Sequence, residues 1–366
     1  MSKILLIGNS GFKHHGEDGQ TIKVQIYLKK IQDEGFNVSF VDLEDFTKKP
    51  ISTLFKIKKS IASCDRIVLI SAKRGCKYLI PFINRVNKKF NKPFILPLIG
   101  TSVLHHSIDK LNDNEKNDFI IKNNYSKCKP DKKMSNELKK ITYILPETEL
   151  LVKVFKGFYK LENVYQLNNF RENQTPHKDF VQNDSLKIIF LSRIMEEKGI
   201  FDILNVIEDV SNNGNKVELN IYGKKLLNQQ QSELFDSYLC NQYIHYYGSI
   251  SNNFVGEVLS NNDIFVFPTH FVGEGTPGVI VESLIAGVPV LTSNFPQAYC
   301  LLEDGKDSIF YKMFDNEDLK EKIMYIIKNK DYLAELRSNA KLSGKKYLYK
   351  HERKAFLKYV CGVQED

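Results

Sequence analysis

A chain of 366 residues exceeds a usual single core, which predicts two domains of roughly 150 to 200 residues each. Hydrophobic residues make up 42%, ample for packed cores, and no apolar run approaches the length of a membrane span, so a spanning protein is not expected. The net charge of +8 is unevenly spread: residues 51–100 hold eleven Lys and Arg against Asp65 alone, whereas residues 201–300 hold three Lys against ten acidic residues.

The start, Met1-Ser-Lys-Ile-Leu-Leu-Ile-Gly8, has too short an apolar core for a signal peptide and reads as a first strand. A glycine-bearing loop follows, Gly8-Asn-Ser-Gly11-Phe-Lys-His-His-Gly16-Glu-Asp-Gly19-Gln-Thr-Ile-Lys23. It has neither the Gly-Lys-Ser/Thr of a Walker motif nor the Gly-x-Gly-x-x-Gly of a dinucleotide fingerprint. His14 and His15 have no acidic or Cys partner at a recognisable spacing, so no metal is expected there. Strand-like runs at 4–7, 37–41, 66–70, 94–99, 141–145 and 164–167, with amphipathic stretches mostly between them, predict a doubly wound α/β domain. Within it, Lys77 to Phe90 reads as a helix with an apolar and a cationic face. Two readings stay open for that helix: a core helix with a solvated basic face, or a helix lying on an anionic membrane. A nucleic-acid surface is set aside, because no recognised module accompanies the charge. His105 and His106 follow the fourth strand and stand either as substrate contacts or as ordinary loop residues.

The polar, Pro-containing stretch 168–185 reads as a linker. Strand-like runs recur at 187–191, 217–222, 244–247, 263–267 and 288–292, predicting a second doubly wound domain, and a last helical pattern begins at Tyr347. The boundaries so read are 1–170 for the first domain, 171–185 for the linker, 186–346 for the second domain and 347–366 for the C-terminal helix. Six cysteines (Cys64, Cys76, Cys128, Cys240, Cys300, Cys361) are scattered without a Cys-x-x-Cys pair, so neither a disulfide framework nor a zinc cluster is implied, and a reducing cytoplasm is the expected setting.

Two stretches of the second domain carry chemistry. In Lys187-Ile-Ile-Phe-Leu-Ser192-Arg193-Ile-Met-Glu-Glu-Lys198-Gly199, an apolar strand runs into a loop with two cations, ahead of a helix with apolar residues at Ile200, Ile203, Leu204 and Ile207. The end of a strand in an α/β sheet is where phosphates bind, and Arg offers a planar fork while Lys offers a mobile point charge. Downstream, Glu274-Gly-Thr276-Pro277-Gly278-Val-Ile-Val-Glu282 follows the strand 263–267 and opens a helix. The free N–H groups at such a helix start favour anions or negatively polarised oxygens. Glu282, about two turns on, can accept hydrogen bonds from a ribose diol. The pair also admits a plain reading as a capping Glu and a solvated helix Glu. It is not a glycosidase acid/base pair, since both residues lie on one loop–helix unit and no opposing carboxylate is identifiable. His270, just before Glu274, is read as support for the loop.

The Glu274 to Glu282 stretch resembles the Glu-x7-Glu signature of the retaining glycosyltransferases of family four, and Arg193 to Gly199 resembles that family's Gly-Arg-Leu…Lys-Gly element, with Ser192 where Gly is commonest. The resemblance covers about 185–330 strongly and the first domain weakly. It implies a GT-B fold, with two doubly wound Rossmann-like domains facing across a cleft and a C-terminal helix returning to the first. It implies that Glu274, Thr276, Pro277 and Gly278 meet the donor sugar, that Glu282 holds the nucleotide ribose, and that Arg193 and Lys198 neutralise the donor diphosphate. Gly19-Gln20-Thr21-x-Lys23 resembles a variant glycine loop of bacterial surface-polysaccharide transferases, which would bring Gly19 to donor phosphate or acceptor. A family His from the first domain contacts the donor sugar, and His105 and His106 are the candidates, although their register matches no clear motif.

What the resemblance implies is transfer of a sugar, with retention, from a UDP-linked donor to a glycan or lipid-linked glycan on the way to capsule, exopolysaccharide or lipopolysaccharide. The nucleotide sugar is then a substrate, and neither a cofactor nor a metal is expected. Expected partners are that donor, that acceptor and an anionic membrane surface met by the basic first domain at the inner face of the cell membrane; nucleic acid is not one. A nicotinamide-dependent oxidoreductase would share the doubly wound domains but should show the missing glycine fingerprint and an acidic ribose residue about 20 positions later. A noncatalytic membrane or nucleic-acid binder would account for the basic domain but not for the Glu pair.

Overall fold

The computed structural model describes residues 2–13, 18–108, 110–172 and 184–364, without the side chains of 105, 106, 113 and 114. Its contacts divide the chain into two compact units. Unit 1 is Met1–Glu172 with Gly273–Thr276 and Tyr349–Asp366, and unit 2 is Asn173–Val272 with Pro277–Leu348. No helix among the described residues is long and apolar enough to cross a membrane.

Unit 1 is built on a parallel sheet of β1 (Lys3–Gly8), β2 (Asn37–Asp42), β3 (Arg66–Ile70), β4 (Phe94–Pro97) and β5 (Tyr143–Leu145), in the order β2-β1-β3-β4-β5. Strand side chains alternate faces, so the continuous apolar run of β1 feeds two cores. Ile4 and Leu6 pack with Val24, Tyr27 and Ile31 of α1 (Gly19–Asp33) and with Tyr349, Phe356 and Val360 near the C-terminus. Leu5 and Ile7 pack on the other face with Ile57 and Ile61 of α2 (Pro50–Ala62) and with Leu79, Ile80 and Ile83 of α3 (Lys73–Asn87).

Three expectations are revised in unit 1. The segment 164–167 is not a strand, although Tyr165 N–H donates to Ile144 O and Leu167 N–H to Pro146 O along the sheet edge. Pro146 has no N–H to return a bond, so the pairing stops at a single bridge between Ile144 and Val164. The helix expected over 77–90 begins at Lys73 and ends at Asn87, with Pro81 inside it, and Lys88 to Phe90 form the turn beyond. The core takes up its apolar face, with Leu79, Ile80 and Ile83 buried and Phe82, Val86 and Phe90 half-buried against it, so that face is not left for a membrane.

Unit 2 is a six-stranded parallel sheet of β6 (Leu186–Leu191), β7 (Val217–Tyr222), β8 (Ile244–Tyr246), β9 (Ile264–Phe267), β10 (Val290–Ser293) and β11 (Ser308–Tyr311), ordered β11-β10-β9-β6-β7-β8. Again one strand serves two cores: Ile188 and Phe190 face Ile203, Leu204 and Ile207, while Ile189 faces Ile280, Val281 and Leu284. The edge strand β11 was not expected from the sequence. Its four residues follow a turn at Gly305 (φ +77°) and pair on one side only, too short a run to stand out by pattern. All six strands run parallel, so the loops after β6, β7, β8 and β9 emerge along one edge of the sheet.

Candidate functional site

At that edge β6 delivers Ser192 and Arg193. Ile194, fully buried, pins the loop by donating its N–H to Lys224 O (2.9 Å) and accepting from Leu226 N–H (2.9 Å). Arg193, beside it, is left exposed. Ser192 is pressed so closely on Gly223 that a Cβ at Gly223 would lie 1.7 Å from the Ser192 carbonyl oxygen. The chain then makes a short 3-10 turn, Glu196–Lys198, and ends it at Gly199 with φ +69°, from which the helix Ile200–Asn212 starts.

Gly199 is dictated by its surroundings. A Cβ there would meet the Pro268 carbonyl oxygen at 1.8 Å, on a backbone that L-residues avoid. The close approach sets Lys198 against the end of β9, its ammonium 5.5 Å from the Phe267 ring centroid and 5.8 Å from that of Phe271. Three further bonds stitch the loops together: His270 N–H to Glu197 O (2.9 Å), the Thr269 hydroxyl to the same carbonyl (3.4 Å), and His270 Nε2 with Asp202 Oδ2 (2.5 Å). His270 thus holds the loop rather than facing a ligand.

After β9 the chain reaches Pro277, the N-cap of the helix Gly278–Ile285, with no side chain among the described residues capping it. Ile280 N–H bonds back to Pro277 O (3.1 Å), so the amides of Gly278 and Val279 form the uncapped helix start. Glu282 lies half-buried on the same helix. Arg193, Lys198, Pro277, Gly278 and Glu282 therefore belong to unit 2, on the loops and helix that follow β6 and β9. At the ends of the neighbouring strands, Tyr222 and Tyr247 stack at 4.8 Å and 15°, with Tyr247 largely exposed.

Glu274 and Thr276 belong by their contacts to unit 1. Gly275 sits directly on Gly100, where a Cβ would come within 2.4 Å of the Gly100 Cα, and the Thr101 hydroxyl donates to Gly273 O (3.3 Å). Thr276 is 6% exposed; its N–H donates to Glu147 Oε2 (3.2 Å) and its carbonyl accepts from Asn169 Nδ2 (3.0 Å). Its hydroxyl has no partner among the described residues. A buried hydroxyl left unpaired is costly and is the kind of group a ligand satisfies. Glu274, two residues earlier, is half-buried.

Gly19 opens α1, but Asp18 caps that helix by accepting from Gln20 N–H (3.0 Å) and Thr21 N–H (2.9 Å). A carboxylate of the chain itself already sits at this positive end, where an anion would otherwise be favoured. Lys23, from the same run, turns inward to Glu147. His105 and His106 begin the four-residue helix His105–Ile108, and their side chains lie outside the described structure, as do His14 and His15 entirely. Sequence reading missed Glu147, Asn169 and the Gly100–Thr101 corner. The one local signal was a Glu at the end of an apolar strand run, Tyr143 to Glu147.

Residues 172–343 match the family described as glycosyl transferases group 1. That segment of the chain belongs to this family. It is 26% identical over 236 residues to the alpha-monoglucosyldiacylglycerol synthase of Acholeplasma laidlawii, a match covering 63% of this chain and 56% of that one. It is 28% identical over 166 residues to the capsular polysaccharide biosynthesis glycosyltransferase CapM of Staphylococcus aureus, covering 44% and 42%. The chain thus spans about half the length of these curated relatives. The solved structure of Anabaena Alr3699/HepE in complex with UDP and glucose superposes with a TM-score of 0.73 over 99% of this chain and 100% of that one, at 12% identity. The fold of the chain is GT-B.

Proposed function

We propose that the protein transfers a hexose from a UDP-linked donor to a glycan or lipid-linked glycan acceptor, keeping the anomeric configuration. The observation that carries this reading is the β6 loop. Gly199, locked onto the end of β9, fixes Lys198 there, and Arg193 stands exposed at the neighbouring strand end. Two cations so placed suit a diphosphate and stabilise it as leaving group. The uncapped amides at Gly278 suit the sugar or its phosphate, and Glu282 suits the ribose diol. The exposed Tyr247 ring, stacked on Tyr222, offers a flat face for a base. Glu274 and the unpaired Thr276 hydroxyl face the sugar in this reading. With retention, the acceptor attacks from the face the diphosphate leaves, and a phosphate oxygen helps accept its proton. Calorimetric titration with UDP, 2′-deoxy-UDP, GDP, ADP and NAD tests it. UDP should bind best, Glu282→Ala should narrow the gap between UDP and its 2′-deoxy form, and Arg193→Ala should cost UDP at least about 10-fold, as the loss of a charge-assisted contact of about 1.5–3 kcal/mol requires. Preference for NAD, or indifference to both substitutions, would overturn it.

A lipid-linked acceptor is supported by a surface of unit 1 centred on α2 rather than on the apolar face of α3. On α2, Ile51 is 83% and Phe55 68% exposed, four residues apart and so on one face. Exposed Lys48, Lys49, Lys56, Lys58 and Lys59 surround them, and Arg74, Lys77 and Tyr78 are exposed on α3, which packs in the same core. Apolar side chains at the centre of a cationic field suit an anionic lipid surface, where the protein would work from the cytoplasmic side.

A further inference from the structure

The run Gly19-Gln-Thr-Ile-Lys23 stood out in the sequence, yet the donor reading leaves it unused. Its lysine is 4% exposed on α1, and its ammonium donates to Leu98 O (2.7 Å) and to Glu147 Oε1 (2.5 Å). Glu147 is equally buried. Its second oxygen does not turn back to lysine but accepts the N–H of Thr276. Asn169, oriented by Arg171 Nη1 on its amide oxygen (3.0 Å), takes the carbonyl of the same residue.

Both peptide groups flanking the Thr276 Cα are therefore fixed by side chains far away in the chain, while its own hydroxyl has no partner among the described residues. The residue is anchored by its backbone and presents its side chain. A buried ion pair is a poor device for stability, since desolvating two charges offsets much of their attraction. It is a good device for direction. The carboxylate needs one oxygen for the cation, which balances its charge, and has the other available as a strong, oriented acceptor.

We propose that Lys23 and Glu147 are positioning residues for the donor-facing loop: the pair aims the Glu147 carboxylate at the Thr276 amide and thereby fixes Gly273–Thr276, with Glu274 on it, for the transfer step. The inference rests on the reading that this loop meets the donor sugar. UDP itself is assigned to Arg193, Lys198 and Glu282, so loosening the loop should leave nucleotide binding in place and harm turnover.

Glu147→Gln keeps the shape and removes the charge, and Lys23→Met removes the cation. In both, hydrogen exchange of a peptide spanning 273–276 should quicken at least about 10-fold, kcat for transfer from UDP-glucose should fall at least about 10-fold, and the UDP dissociation constant should stay within about 2-fold of wild type. Unchanged exchange would overturn the proposal, as would quickened exchange with unchanged kcat, or losses of kcat and UDP affinity in equal measure. If both variants fail to fold, Asn169→Ala removes the carbonyl anchor instead and must show the same split between kcat and UDP binding; wild-type behaviour there overturns the proposal equally. A wild-type protein that neither binds UDP nor uses UDP-glucose would instead sink the donor reading, and the exchange arm would still report on the anchoring.

Discussion

Replacing Gly199 by alanine probes how the cationic loop is held. A Cβ at that position would sit 1.8 Å from the Pro268 carbonyl oxygen and 2.7 Å from its carbon, at φ +69°. The left-handed backbone alone costs an L-residue about 1 kcal/mol relative to glycine. Parting two packed segments to relieve such an overlap adds roughly 1–3 kcal/mol, the usual scale of overpacking. Gly214 supplies the control, with φ +79° and nothing within 4 Å of its Cβ, so alanine there carries the conformational cost alone. Urea denaturation should place Gly214→Ala about 1 kcal/mol below wild type and Gly199→Ala about 2–4 kcal/mol below it, a drop in melting temperature of about 2–4 °C per kcal/mol for a unit of this size. Separating the loops also moves the Lys198 ammonium off Phe267 and Phe271, so turnover in Gly199→Ala should fall toward that of Lys198→Ala, while Gly214→Ala keeps wild-type turnover. Equal stabilities for the two alanine variants would refute the steric argument, and full turnover in a destabilised Gly199→Ala would separate the loop's packing from its chemistry.

Two more outcomes follow from unit 1. Sedimentation with anionic vesicles should be strong at low salt and weaken as the Debye length shrinks from about 30 Å at 0.01 M to about 8 Å at 0.15 M; Phe55→Ser and the pair Lys58→Glu with Lys59→Glu should each reduce it without changing UDP affinity, and salt-indifferent binding would exclude this surface. At the other end of the chain, Arg353 clasps Glu34 with two bonds of 2.7 Å and Tyr349 adds a third at 2.9 Å, which together hold the Glu34 carboxyl below its ordinary range. A group whose folded value is lowered stabilises above its unfolded value and loses that contribution as pH falls through the folded one. Arg353→Met should therefore speed hydrogen exchange of the 349–361 segment at pH 7, with the difference from wild type closing as the pH falls through the lowered folded value of Glu34; a gap that persists in acid would count against the ion pair.

What was legible in the sequence was local. The strand at 186–191 running into Arg193, Lys198 and Gly199 is one continuous stretch, and each feature there follows from neighbours in the chain: an apolar run that must be buried on both faces, cations where it ends, and a glycine where a helix must start from a left-handed residue. The helix opening at Gly278 could be read for the same reason, from a Pro-Gly pair before an apolar run. Pattern misled where two structures share one pattern. The apolar stripe of α3 fits a membrane or a core equally well in sequence, and only its packing on Ile57 and Ile61 decides between them. Likewise a glycine after a polar loop suggests a phosphate cradle until the Asp18 carboxylate is found in the cradle's place. The rest depended on distance along the chain. Thr276 is held by Glu147 and Asn169, 129 and 107 residues away, and Glu147 by Lys23, 124 residues away. No spacing rule connects such positions, because the sheet order β2-β1-β3-β4-β5 brings the ends of distant strands and the start of α1 to one place. Residues that contact a ligand tend to sit in short motifs on loops, whereas residues that aim them are supplied by whichever element the topology puts behind the loop. Lys23 is the instructive case. It stood out as part of a motif but with no role of its own, and only its burial against the Glu147 carboxylate shows it to be a strut.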